Sequence, residues 1–140
     1  MYNASCLCGV IKLTISGSIT DIIHCHCSRC RKSSGTAYAT NGFVLKEHLS
    51  FVQGEGDIQS YSAKPGSYAY FCPRCSSSLF SENQSDPLRI RFRLGALDSE
   101  ITERPASHNF VTSKANWHQF NDKLPHYKAQ EPKRSKPPKA

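Results

Sequence analysis

Seven cysteines in three short groups constrain this chain more than any other feature. Cys6-x-Cys8 opens the sequence, Cys25-x-Cys27-x-x-Cys30 follows, and Cys72-x-x-Cys75 closes the set. An odd count rules out complete internal disulfide pairing, and sulfurs this closely spaced hold metal or do redox work when a chain has no export signal. A structural Zn²⁺ takes four tetrahedral ligands, whereas a catalytic Zn²⁺ keeps one position open. Cys72-Pro73-Arg74-Cys75 has knuckle spacing and needs a second pair, for which Cys6 and Cys8 are the natural partners. The central group is then left as a three-sulfur site one ligand short. The alternative pairing, Cys6 and Cys8 with part of the central group, divides five sulfurs unevenly and stays open on spacing alone. Iron–sulfur ligation is a competing chemistry, but the central group has none of the usual four-cysteine spacings. A redox dithiol at Cys72/Cys75 lacks the βαβ context such motifs use.

The length of 140 residues fits one domain, and an apolar fraction of 38% predicts a small core that metal would help to staple. Met1-Tyr2-Asn3-Ala4-Ser5 lacks the basic start and apolar stretch of a secretory signal, and no apolar run approaches membrane-helix length. The expectation is a cytoplasmic protein, the nucleus being the alternative, with no membrane partner. The formal charge is +7, of which net +4 sits in Tyr127 to Ala140: Lys128, Lys133, Arg134, Lys136 and Lys139 against Glu131. Seven thiolates on two Zn²⁺ would bring the remaining +3 to near neutrality. A nucleic-acid contact is therefore expected through the tail alone.

Hydrophobic period points to a mainly β domain with few or no long helices. Ile11, Leu13 and Ile15 alternate with polar residues, as do Leu88, Ile90, Phe92 and Leu94 with Arg89, Arg91 and Arg93. Thr36 to Thr40 and Phe43 to Leu45 read as strands joined by an Asn41-Gly42 hairpin turn. Arg31 to Gly35 reads as one helical turn, and Lys64-Pro65-Gly66 as a turn between strands. A sheet edge at Leu88 to Leu94 would permit a homodimer. From residue 127 the Pro/Lys-rich sequence predicts a disordered tail, so the folded domain is expected over 2–126 and the tail over 127–140. Arg29, Arg31 and Lys32 flank the central cysteines and are candidate contacts for a carboxylate. His24, His26 and His108 are candidates for its fourth ligand. Extended alternation turns His26 away from the sulfurs, toward a partly exposed position hydrogen-bonded to backbone.

Cys6-Leu7-Cys8-Gly9, Cys25-His26-Cys27-Ser28-x-Cys30-Arg31-Lys32 and Phe71-Cys72-x-x-Cys75 resemble, in order and spacing, the glutathione-dependent formaldehyde-activating enzyme family, which includes the centromere protein V domain. Arg93-Leu94-Gly95-Ala96-Leu97-Asp98 and Pro105-x-x-His108 through Ser113-Lys114-x-x-Trp117 extend the resemblance over residues 2 to 125. It implies a small zinc-stapled β-sheet domain similar to the Mss4-like proteins. It also implies two zincs per chain: a structural one on Cys6, Cys8, Cys72 and Cys75 and a catalytic one on Cys25, Cys27 and Cys30. The reaction implied is condensation of glutathione with formaldehyde to S-hydroxymethylglutathione, a carbon–sulfur lyase reaction in reverse. Glutathione, or a similar small thiol, is then the partner. His108, Lys114 and Trp117 are expected near the open site, Trp117 as core or pocket wall and His108 as packing or a proton shuttle. Where the family has glycine after the last cysteine, this chain has Ser76, which is expected to strain that knuckle. The alternative function is a non-enzymatic zinc module whose basic tail touches nucleic acid or chromatin.

Overall fold

A computed structural model describes residues 1–139 as two sheets. Three strands, β1 (Tyr2–Ser5), β2 (Lys12–Ile15) and β5 (Leu49–Gln53), form a small antiparallel sheet in the order β1-β2-β5. The larger sheet contains β3 (Thr20–Cys25), β4 (Ala39–Leu45), β6 (Gln59–Lys64), β7 (Ser67–Phe71), β8 (Ser78–Asn83), β9 (Asp86–Arg93) and β10 (Ser107–Asn109). Its order is β10-β3-β4-β9-β8-β7-β6, antiparallel except where β10 joins β3. One seven-residue helix, α1 (Ser28–Ser34), is the only α-helix among the described residues, so the mainly β expectation holds. No helix is long and apolar enough to cross a membrane.

Period-2 alternation sorts the two faces of the large sheet. Val44, Ile90 and Phe92 point inward and pack on Leu13 and Ile15 of the small sheet and on Ile11 just before it, all of them fully buried. Cross-strand pairs Asn41↔Arg93 and Phe43↔Arg91 place the arginines of β9 on the opposite face. That face is not plain solvent surface. Arg93 reaches Ser33 of α1, and Arg89, only 6% exposed, reaches the backbone of Ser135.

Two expectations are corrected here. Asn41-Gly42 is no hairpin turn, because β4 runs straight through it and neither residue has the positive φ that such a turn requires. Glycine is there for close approach: a Cβ on Gly42 would lie 2.4 Å from Ile19 Cγ2. Secondly, β9 is interior, between β4 and β8, so Leu88 to Leu94 offers no edge for a dimer. The edges of the large sheet are β10 and β6. The segment beyond residue 126 makes several contacts with the body. Tyr127 N–H donates to His108 O at 2.8 Å, Ser135 N–H donates to Asp21, and the Arg134 guanidinium lies 4.9 Å from the Phe43 ring centre.

Candidate metal centres

Two tight loops bring Cys6, Cys8, Cys72 and Cys75 together. Cys6 follows β1, and Gly9, at φ +78°, turns the chain so that its N–H donates to Cys6 O. Cys72 follows β7 in a matching loop, closed by Ser76 N–H on Cys72 O at 2.8 Å. Sulfurs about 2.3 Å from one tetrahedral ion lie about 3.8 Å apart. Here Cys6 and Cys8 are 3.6 Å apart, Cys8 and Cys72 3.9 Å, and all four lie within 4.8 Å of one another. The donor set fits a closed thiolate site. Ser76 sits at φ +67°, the left-handed conformation in which a glycine would be unstrained.

The second group is built on the end of β3 and the start of α1. Cys25 is the last residue of β3, and Cys27 caps α1 by accepting from Cys30 N–H at 3.4 Å. One helical turn then carries Cys30 back, and the three sulfurs lie within 4.8 Å of one another. Among the described residues no histidine or carboxylate, His24, His26 and His108 included, joins the three sulfurs within that distance. Hydrogen bonds from Cys25 and Cys30 hold the Cys27 thiol down at about 2, while the same contacts push Cys25 far up. Three thiols so placed cannot all ionise without a cation among them, which is what a bound metal provides.

Behind the three sulfurs stands a histidine cluster that spacing does not reveal. Strand β10 runs parallel to β3 with Asn109 opposite Cys25 and His108 opposite His24. His108 Nε2–H donates to Asp122 Oδ2 at 2.9 Å, which leaves Nδ1 to accept from His26 Nε2–H at 2.8 Å. His26 is 0% exposed, so the partly exposed position expected for it is wrong: the chain leaves β3 after Cys25 and its ring turns into the cluster. Tyr38 packs 4.3 Å from the His24 ring, and Phe120 4.6 Å from that of His108. Burial first, then the charge of His108, pushes His24 and His26 down to about 4.

The candidate contact residues divide. Arg29 and Lys32 are exposed on α1, whereas Arg31 Nε donates to Ser113 O at 3.1 Å. The Lys114 ammonium is taken up by the carbonyls of Ala115 and His118. Trp117 is 68% exposed and is not core, because the irregular segment bearing it turns His118 and Phe120 inward instead. Sequence reading missed Arg93. Its Nη2 donates to Ser33 Oγ at 2.9 Å, its charge partly offsets the rise of the Cys30 thiol, and its Nη1 is buried without a partner. Alternation marks it only as polar.

The chain is a mainly β domain with a four-thiol cluster and a separate three-thiol cluster, each placed so that it could hold a metal ion. The sequence profile described as "Glutathione-dependent formaldehyde-activating enzyme" matches residues 1–113, and the chain belongs to that family. Two fungal proteins, from Aspergillus flavus and Aspergillus oryzae, each named "Putative glutathione-dependent formaldehyde-activating enzyme", are 29% identical over 86 residues. Those matches cover 60% of this chain and 45% of each relative, so the chain spans less than half of their length. A crystal structure of a Rhodobacter sphaeroides protein shares the fold, with a TM-score of 0.61 at 19% identity over 71% of this chain and 91% of that one.

Proposed function

We propose that the chain is a zinc-dependent carbon–sulfur lyase-type enzyme that joins a small thiol, glutathione in the family's named reaction, to formaldehyde. One observation carries this reading: the Cys25–Cys27–Cys30 cluster has three sulfurs where the other cluster has four. Cys6, Cys8, Cys72 and Cys75 would hold a structural zinc, and Cys25, Cys27 and Cys30 a catalytic one. Zinc bound by three thiolates would supply an open position that takes a fourth thiol as its thiolate. In the net reaction the thiol sulfur forms a bond to the formaldehyde carbon, and the thiol proton ends on the former carbonyl oxygen.

The chain's own residues orient the substrate. Arg93, beside Cys30 with an unpartnered Nη1, can accept a substrate carboxylate, as can exposed Arg29 and Lys32. The buried imidazoles of His26 and His108 wall the far side and, being mutually hydrogen-bonded, hold β10 against β3. Seven reduced thiols suit a reducing compartment, in keeping with the cytoplasm. The test is formaldehyde consumption with glutathione in the zinc-loaded protein and in Cys27→Ser, each against the uncatalysed mixture. Acceleration by the wild type that Cys27→Ser loses is expected. A wild type holding both zincs and no faster than the mixture would sink the enzymatic reading for these substrates.

A further inference from the structure

The basic tail, which the proposed reaction does not use, closes over a cavity of about 240 Å³ on the arginine face of the large sheet. Phe43 forms its floor, and the guanidiniums of Arg89, Arg91 and Arg134 stand 4.5, 5.0 and 4.9 Å from that ring centre. Lys136 and Pro137 line the rim. Three guanidiniums around one ring repel each other unless anions separate them. Arg89 has its anions: Nε donates to Asp86 Oδ2 at 2.8 Å, and Nη1 lies 3.9 Å from Asp21. Arg134 pairs with Glu131.

Arg91 and Lys136 have none. Among the described residues Arg91 makes no hydrogen bond or ion pair, and its Nη1 is buried without a partner. Burial, with the neighbouring charges of Arg134 and Arg89, makes it harder to keep Arg91 protonated, against a partial offset from Asp86. Arg91 is half-buried, and a guanidinium nitrogen buried without a partner is costly unless something else neutralises it. The three carboxylates nearby, Asp21, Asp86 and Glu131, are paired with Arg89 and Arg134, although Asp86 Oδ1 and Asp21 Oδ2 are themselves buried without a hydrogen-bond partner.

The geometry points to a binding site for a phosphate group, held by Arg91 and Lys136 in the cavity between β4, β9 and the C-terminal segment. Arg91 and Lys136 are the two cations outside the ion pairs, and a guanidinium fork suits the tetrahedral oxygens of a phosphate. The cavity has room beside Phe43 and Pro137 for an organic portion, so the ligand is inorganic phosphate or a small phosphate monoester.

The test uses the full chain. Inorganic phosphate and glycerol 3-phosphate are titrated by calorimetry at constant ionic strength set with chloride, in wild type, Arg91→Gln and Lys136→Ala. Saturable one-site binding by the wild type is expected, weakened about tenfold or more in Arg91→Gln, the effect of losing one charge-assisted hydrogen bond. Tighter binding of glycerol 3-phosphate identifies a monoester ligand, and equal or weaker binding identifies free phosphate; both support the site. No binding above the chloride control, or binding unchanged in Arg91→Gln, overturns it. Lys136 is exposed, so Lys136→Ala will fold even where Arg91→Gln does not, and unchanged phosphate affinity in that variant also overturns it. Zinc content and thiol reactivity should stay at wild-type values in Lys136→Ala.

Discussion

Ser76→Gly should stabilise the four-cysteine loop. Ser76 is held at φ +67° because its N–H must close on Cys72 O, and that bond positions Cys75 beside the other three sulfurs. An L residue in the left-handed region costs about 1–2 kcal/mol, and glycine removes that penalty. Glycine's greater freedom in the unfolded chain returns about 0.5–1 kcal/mol in the other direction. The Ser76 side chain is exposed and makes no hydrogen bond among the described residues, so little else is lost. The net expectation is a gain of about 0.5–1 kcal/mol, or roughly 2–4 °C in Tm for a chain of this length. Ser76→Val should move the opposite way, since a β-branched residue tolerates this conformation poorly. Thermal unfolding of the zinc-saturated proteins reads both. A melting point lowered by glycine, or the same for glycine and valine, would refute the idea that backbone strain resides at this position.

Gly42→Ala should destabilise by about 1–3 kcal/mol, the cost of overpacking a Cβ against Ile19 within the sheet, as urea unfolding will show. Cys72→Ser should lose one zinc and on the order of 3 kcal/mol of stability or more, while Cys27→Ser loses the other zinc with a smaller shift; metal analysis beside thermal melts separates the two. Burial holds His24 and His26 at about 4 against an ordinary 6.5, so between those pH values the unfolded chain binds protons that the folded chain refuses. Stability is therefore full above pH 6.5 and falls as the pH drops toward 4. Unfolding midpoints at pH 7.5, 6 and 5 should decline in the wild type and less steeply in His24→Phe; equal slopes would remove the histidines as the cause.

Cysteine spacing made each short group legible, because a loop of one or two residues between sulfurs leaves little choice of geometry; which groups share a site came from the family resemblance. The same local logic made Leu13, Ile15, Ile90 and Phe92 readable as core. It failed where a residue's role depends on what packs against it. Asn41-Gly42 has turn chemistry, but Ile19 crosses over Gly42 and only a straight strand with no side chain fits. The arginines of β9 alternate as a solvent face would, yet α1 and the C-terminal segment cover them from distant parts of the chain. His26 lies between two cysteines, and nothing local shows that β10, more than eighty residues later, brings His108 to it. Trp117 showed the reverse failure, since a large aromatic side chain is usually buried and this one is not.

The most direct test of the three-sulfur site is X-ray absorption at the metal edge on protein loaded with cobalt(II) or zinc, before and after glutathione is added. In Cys72→Ser, which leaves only the Cys25–Cys27–Cys30 group intact, three protein sulfurs should become four sulfur ligands when glutathione binds. In Cys27→Ser, which leaves the closed group, the four-sulfur signal should not change. Four sulfurs already present in the first variant, or three that stay three with saturating glutathione, would contradict the open thiol-binding position on which the proposed function depends.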